Sequence, residues 1–368
     1  MLTRRRFAQT LLLLSACLLL PGCYIAQAVQ GQLRLLSARE PIDRLLARAD
    51  TSVALRAQLE QARRIRDFAT QALGLPDNAS YRSYADIHRD YVVWNVVAAP
   101  VLSLTPRRWC FPVAGCVSYR GYFSAPAAEK FAERLRRHGD DVVVGGVPAY
   151  STLGHFSDPL VSSMARYGEY ELAALEFHEL AHQVAYLKGD SSYNEAFATT
   201  VEEEGVARYA AARGEPAQLA RYQLRRAQRQ ALAQRFAARR AQLQQVYAGP
   251  LETAAKLAQK HEILGALGED IRALERSSGQ PTGYGPWIQT GLNNAHLASV
   301  ATYYDQIPQF EALLVSVGGD LPAFYAAVKA QIRHKKAPQA VRLAGLQGGV
   351  GRPPAIQERS EPGPLRGP

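Results

Sequence analysis

Glu176-Phe177-His178-Glu179-Leu180-Ala181-His182-Gln183 is the stretch from which the rest of the chain can be read. Spaced four residues apart, His178 and His182 leave one face of a helix together and can share a single metal ion, with Glu179 beside them. Zinc takes neutral imidazole nitrogens at about 2.0–2.1 Å, and in a reactive site it lowers the pKa of a water to roughly 7. Glu179 is then placed to take that water's proton as general base and pass it to a leaving group. Leu172, Leu175, Leu180, Val184 and Leu187 form an apolar helical stripe around the pair, and Gly189 after Lys188 predicts the helix end. Asp190-Ser191-Ser192 opens a second helix, expected to run toward Gly214 and to carry Glu195 and Glu202 back toward the metal.

With Asn194-Glu195-Ala196-Phe197-Ala198 and then Glu202 following HELAHQ, the sequence resembles the gluzincins, and among them the alanyl-aminopeptidase signature with a connection six residues shorter. The leader, Gly115-Cys116-Val117-Ser118-Tyr119-Arg120-Gly121-Tyr122-Phe123, Tyr150-Ser151-Thr152-Leu153-Gly154 and Leu292-Asn293-Asn294-Ala295 are similar to the bacterial family of putative aminopeptidases, over most of the mature chain. The resemblance implies that Glu195 joins His178 and His182 as third zinc ligand, and that Glu202 supports a ligand imidazole from behind. The residues alone leave alternatives. Ser192 and Glu195 stand at capping-box spacing. Counting along an antiparallel helix pair at 1.5 Å per residue brackets the ligand between Glu195 and Glu202 without choosing.

Amide hydrolysis also develops an oxyanion that needs a donor, and His155, Tyr150, His296, Tyr303 and Tyr304 are available. Gluzincins take this group from a helix after the metal site, which by resemblance favours Tyr303 or Tyr304. The GxMEN strand with which alanyl aminopeptidases hold a substrate's amino group has no counterpart, so exopeptidase and endopeptidase action both stay open.

At 368 residues and 47% hydrophobic composition, the chain can bury a sizeable core. Met1-Leu2-Thr3-Arg4-Arg5-Arg6-Phe7 followed by the apolar run 11–20 reads as an export signal, and Thr-Arg-Arg-Arg-Phe resembles a twin-arginine start. Leu20-Pro21-Gly22-Cys23 resembles a bacterial lipobox, which implies cleavage of residues 1–22 and lipid on Cys23. The protein is then expected on the periplasmic side of the cell envelope, at the outer membrane, held by several acyl chains. An uncleaved anchor is the rival, but the apolar run is short for a spanning helix. The net charge of +10 does not mark a nucleic-acid surface. The leader holds three arginines and the segment 333–368 seven basic against two acidic residues, which leaves the body near +2. The Pro- and Gly-rich segment 348–354 predicts a disordered basic tail over 333–368.

Between these ends the expected domain spans 23–332, with an α+β, mainly helical and zincin-like fold. Helical periodicity runs over 28–74; strands are predicted at 91–99, 116–119 and 141–147, and a helix at 125–138. That sheet precedes the HExxH helix, where zincins use an edge strand to hold the substrate backbone. Residues 216–248 form a long helix with many arginines and no acid, paired with 251–276 as a projecting helical hairpin whose arginines are read as solvated. A further helical stretch covers 292–314.

Once Cys17 leaves with the signal and Cys23 is lipidated, Cys110 and Cys116 remain. In an oxidising periplasm they are expected to form a disulfide worth roughly 2–3 kcal/mol. The combined expectation is a zinc peptidase acting on a peptide or protein substrate, with no nucleic-acid partner. The alternative is a lipoprotein that uses the same fold as a binding or assembly module, a role for which the base Glu179 would be unnecessary.

Overall fold

The computed structural model describes residues 24–111, 115–149, 152, 154–300 and 306–347. The helical pattern over 28–74 resolves into three helices, α1 (24–37), α2 (Ile42–Ala47) and α3 (Val53–Gln71). Between α1 and α2 lies β1 (Arg39–Pro41), because Pro41 has no N–H to donate and sits at the entry of α2 in an extended conformation. Ser52 restarts the helical run by accepting from the Leu55 N–H at 3.3 Å.

Two small sheets precede the HExxH helix. In the first, β1 pairs antiparallel with β2 (Ser83–Ala85), which pairs in parallel with β8 (Leu160–Val161). The second has β3 (Val93–Pro100) at its centre, flanked by β6 (Arg120–Tyr122) and β7 (Asp140–Val147), so β6 and β7 are its edges. Valine-rich runs suit both long strands because β-branched side chains pack well on a pleated surface. One face of this sheet packs Val96, Ala98 and Val142 under α4 (Ala125–Arg137) through Ala128 and Phe131. The other face packs Val97 and Val143 under Ala295 and Ala298 of α11 (Asn294–Val300), with Trp287 of α10 (Gly285–Thr290) against them. A separate hairpin of β4 (Trp109–Phe111) and β5 (Gly115–Val117) sets Cys110 opposite Cys116, and a disulfide joins them. Since β5 ends at Val117, Tyr119 lies outside the strand expected over 116–119.

The principal core gathers α3, α5 (Ser162–Ala165), α6 (Glu169–Val184), α7 (Ser191–Arg213), α12 (Ile307–Ser316) and α13 (Leu321–Gln347). Phe177 of α6 is fully buried and packs against Phe68 and Tyr209. Helices α6 and α7 approach closely there because residue 205 is glycine: a Cβ at that position would come within 2.7 Å of the Phe177 ring.

The long hairpin, α8 (Pro216–Ala248) and α9 (Thr253–Ser278), has its own core of Leu232, Phe236, Leu243, Leu264, Leu267 and Ile271. It packs back onto the body instead of projecting. Arg225 pairs with Glu171, Arg226 with Glu203 and Glu311, and Arg239 with Asp270, so these arginines are not simply solvated. Their acidic partners lie on α6, α7, α9 and α12, out of reach of any local reading of α8. Asn294 adds a polar pin. Its amide bonds to the carbonyls of Pro100 and Val101 and to the Tyr247 hydroxyl, while the Lys260 ammonium meets Asp141 at 2.6 Å. The helical stretch expected over 292–314 contains α11 and α12, and residues 301–305 between them lie outside the described residues. Helical backbone in α13 continues to Gln347, past the start of the basic tail at Arg333. Among the described residues no helix is long and apolar enough to cross a membrane.

Candidate functional site

The site is built where α6 ends and α7 begins. Helix α6 stops at Val184, ahead of the Gly189 signal, and Ala185 is already extended at φ −149° and ψ 132°. The reason is tertiary: the Leu187 N–H donates to Asn194 Oδ1 at 2.7 Å, and Asn194 Nδ2 donates to the Leu187 carbonyl at 2.9 Å. Both polar groups of Leu187 are thereby held off a helical ladder. Asp190, not Ser192, caps α7, accepting from the Tyr193 N–H at 3.1 Å, so Glu195 is not spent on a capping box. Asn194→Ala should lower stability by about 1–3 kcal/mol, because the Leu187 N–H loses its acceptor while the Leu187 carbonyl keeps only the Asp190 N–H at 3.2 Å. Thermal unfolding of the purified variant checks this.

With the turn that short, the first turn of α7 crosses the last turn of α6. Glu195 Oε2 lies 3.2 Å from His178 Nε2, and Glu195 Oε1 lies 3.7 Å from His182 Nε2. The two imidazole rings stand edge to face with centroids 4.9 Å apart. One ligand atom from each of His178, His182 and Glu195 falls within 4.8 Å of the others, so the three form a group able to hold a metal ion. Ligands at about 2.0–2.1 Å in a tetrahedral shell stand roughly 3.3 Å apart, and the two Glu195–histidine separations, 3.2 and 3.7 Å, are close to that. The donor set, two nitrogens and a carboxylate, also suits zinc.

Glu202, two turns further along α7, reaches the opposite nitrogen of the same histidine, with Oε2 3.0 Å from His178 Nδ1. It is held in turn by the Tyr222 hydroxyl of α8 at 2.9 Å, with Arg229 at 3.8 Å. When the imidazole proton sits on Nδ1 and is donated to Glu202, Nε2 is left with a free lone pair beside Glu195.

The electrostatics follow from this crowding. Burial would depress His178, but its hydrogen bonds to Glu195 and Glu202 outweigh that and raise it well above the ordinary histidine value. Burial, and then the neighbouring His178, push His182 down to about 4, which keeps it neutral. Burial would raise Glu195, yet the His178 hydrogen bond and the two imidazoles hold it below the usual carboxylate range. Glu179 is pushed up to about 7, chiefly by burial and further by the negative charges of Glu195, Asp158 and Glu202, with His178 opposing. A carboxylate in that range is well matched to moving protons near neutrality.

A family model described as "Putative aminopeptidase" matches residues 23–343, most of the sequence. The chain belongs to this family. Neither the curated proteins nor the solved structures give a match.

The stretches that carried the sequence resemblance to these aminopeptidases take up different positions. Gly154 lies against the Gln183 side chain at the end of α6, and Thr152 donates its N–H and its hydroxyl to the buried Asp158. Gln183 accepts from Asn78 at 2.7 Å, tying α6 to the segment before β2. Asn293 and Asn294 instead serve the distant junction of sheet and hairpin, and His296 there is buried beside Trp287 and Asn293. That places His296 in a structural junction rather than at the metal group. His155 is exposed in the loop before β8. Tyr150, Tyr303 and Tyr304 lie outside the described residues, as does Cys23.

Three tyrosines that the sequence reading did not single out share the field of the site. Tyr119 keeps 45% of its surface exposed, yet its hydroxyl is pushed up to about 12 by enclosure among protein atoms and by Tyr186 and Glu195. Tyr186, just beyond α6, has its ring 6.4 Å from that of His182 and is raised by burial and by Glu195. Tyr81 is fully buried with φ +62°, and its hydroxyl has no hydrogen-bond partner among the described residues; burial first, then Glu179, Asp158 and Glu176, raise it strongly. The only signal for any of them was the presence of Tyr119 in the 115–123 stretch.

Proposed function

We propose that this protein is a zinc-dependent peptidase, with His178, His182 and Glu195 holding the metal and Glu179 acting as general base, carried on the periplasmic face of a bacterial membrane by lipid on Cys23. The observation that carries the catalytic part is the convergence of two imidazoles and one carboxylate from α6 and α7, with a fourth group, Glu179, beside them in a family named for aminopeptidases. Zinc bound there would supply Lewis acidity, polarising the scissile carbonyl and lowering the pKa of a water.

The chain's own residues do the rest. Glu202 fixes the ring of His178 through Nδ1, and Tyr222 fixes Glu202. Glu179, elevated by its surroundings, accepts a proton from the attacking water and releases it to the departing amine. The phenols of Tyr119 and Tyr186 are the described hydroxyls near the Glu195 side of the site and are the candidates there for steadying a developing oxyanion. The membrane part rests on Leu20-Pro21-Gly22-Cys23 and the apolar run before it.

The test is metal analysis of purified protein joined to a peptide-library cleavage assay. The expected result is one zinc per chain and cleavage abolished by a chelator and restored by zinc. Stoichiometric zinc without any cleavage would make the protein a binding module, and absence of both would remove the metal reading.

A further inference from the structure

Helix α1 has two faces of different character. Its inner face is built into the body: Tyr24 stacks on Phe111 at 5.2 Å and on the edge of Tyr122 at 5.5 Å, and the Arg120 guanidinium lies 3.9 Å over its ring. One turn on, the Gln27 side chain accepts from the Phe123 N–H at 3.3 Å and donates to the Gly121 carbonyl at 3.4 Å. Another turn on, residue 31 is glycine, and a Cβ there would fall 2.1 Å from the Phe123 ring; Leu35 then closes into the main core.

The outer face is apolar and left open among the described residues. Ile25, Val29 and Leu33 recur every fourth residue and are 45%, 53% and 60% exposed. Together with Ala26, Gln30, Arg34 and Ser37 they line a shallow open groove. Helix α1 has no acidic residue, and Arg34 is its single charge.

What covers this face follows from where it starts. Cys23 directly precedes α1 in the sequence, so lipid on its sulfur would be only one or two residues from Ile25. Several acyl chains on Cys23 would already hold the chain at the lipid surface, and an apolar face that begins two residues further on is then kept within reach of the same acyl boundary. A second copy of the chain is a poor fit, because three partly exposed aliphatic side chains offer on the order of a few hundred Å², against about 800 Å² per partner in a stable interface. We propose that α1 lies flat on the lipid surface, with Ile25, Val29 and Leu33 at the acyl boundary and Arg34 among the phosphates. The inference rests on the lipid anchor at Cys23 stated above and adds a fixed orientation to it. Because Tyr24 is packed on the hairpin and on β6, the docked helix would hold the loop bearing Tyr119 at the same membrane-facing edge.

The experiment uses mature lipidated chain carrying a single new thiol, Val29→Cys on α1 or Leu224→Cys on α8, where Leu224 is 72% exposed. Cys110 and Cys116 are joined to each other and Cys23 is acylated, so an environment-sensitive fluorophore reports the new position alone. On phosphatidylethanolamine–phosphatidylglycerol vesicles containing nitroxide-labelled lipid, the label at residue 29 is expected to shift to the blue and to be quenched several-fold more than that at residue 224. Equal quenching at the two positions overturns the docked helix even where the protein is membrane-bound. Shielding at residue 29 that rises with protein concentration without vesicles would assign the face to a second copy and also overturn it.

A second arm separates this from the anchor. In mature chain bearing Cys23→Ser, the combined replacement Ile25→Ser, Val29→Ser and Leu33→Ser should weaken residual vesicle binding by about tenfold or more. No change there removes the face from membrane binding. An unmodified N-terminal peptide in the mass spectrum of the wild-type mature protein sinks the anchor alone.

Discussion

Glu179→Gln is expected to lower peptide hydrolysis by about 10²–10⁴-fold, the range for loss of a positioned general base, while zinc content stays at the wild-type level. The separation follows from geometry. The atoms that converge on a common point come from His178, His182 and Glu195, and Glu179 is not one of them. Its carboxylate is instead raised to about 7 by burial and by the acids around it, which suits proton transfer more than permanent charge. Glutamine keeps the shape and the neighbours but cannot accept a proton. His178→Ala, in contrast, should lose zinc and hydrolysis together, since it removes a ligand and the link to Glu202 at once. Metal content and initial rates on the two purified variants check both statements. Wild-type hydrolysis by Glu179→Gln would remove this mechanism, whatever the metal content.

The second large effect concerns the third ligand. Glu195→Ala should lower zinc affinity by more than the roughly 10–100-fold expected for Glu202→Ala, a residue that acts only through an imidazole. Glu195 faces Nε2 of both histidines, at 3.2 and 3.7 Å, whereas Glu202 meets only the far nitrogen of His178. Removing Glu202 leaves the ligand set complete but loosens one ring, and it leaves the Tyr222 hydroxyl without its acceptor. Zinc titration of both variants against a competing chromophoric chelator reads the difference directly. The reverse order would move the ligand to Glu202 and with it the whole arrangement around His178.

Much of this was legible before the fold was known, because it depends on spacing within single elements. Histidines four apart on a helix share a face whatever surrounds them, and Glu179 between them cannot be far from what they hold. The amphipathic periodicity of α6, α8 and α9, the valine-rich strands β3 and β7, and the Cys110–Cys116 pairing are likewise local features. So was the mainly helical α+β class, since it needs only the existence and type of elements.

The choice between Glu195 and Glu202 was not local. It depended on where α6 ends, and the sequence signal for that end, Gly189, lies five residues beyond the actual last turn at Val184. What ends the helix is the pair of hydrogen bonds from Asn194, a residue on the next element that takes both backbone groups of Leu187. With the turning point moved back toward His182, the return path shortens, so Glu195 near the start of α7 faces Nε2 of both histidines while Glu202, two turns on, reaches only Nδ1 of His178. The α8 arginines show the same limit: their partners are acids brought together by packing, so a run that reads as solvated becomes a set of ion pairs. The sequence by itself determined which side chains could do chemistry, because residue type and helical spacing are properties of the chain; tertiary structure decided which carboxylate faces which imidazole nitrogen, because that depends on where one helix stops and how closely the next can cross it at Gly205.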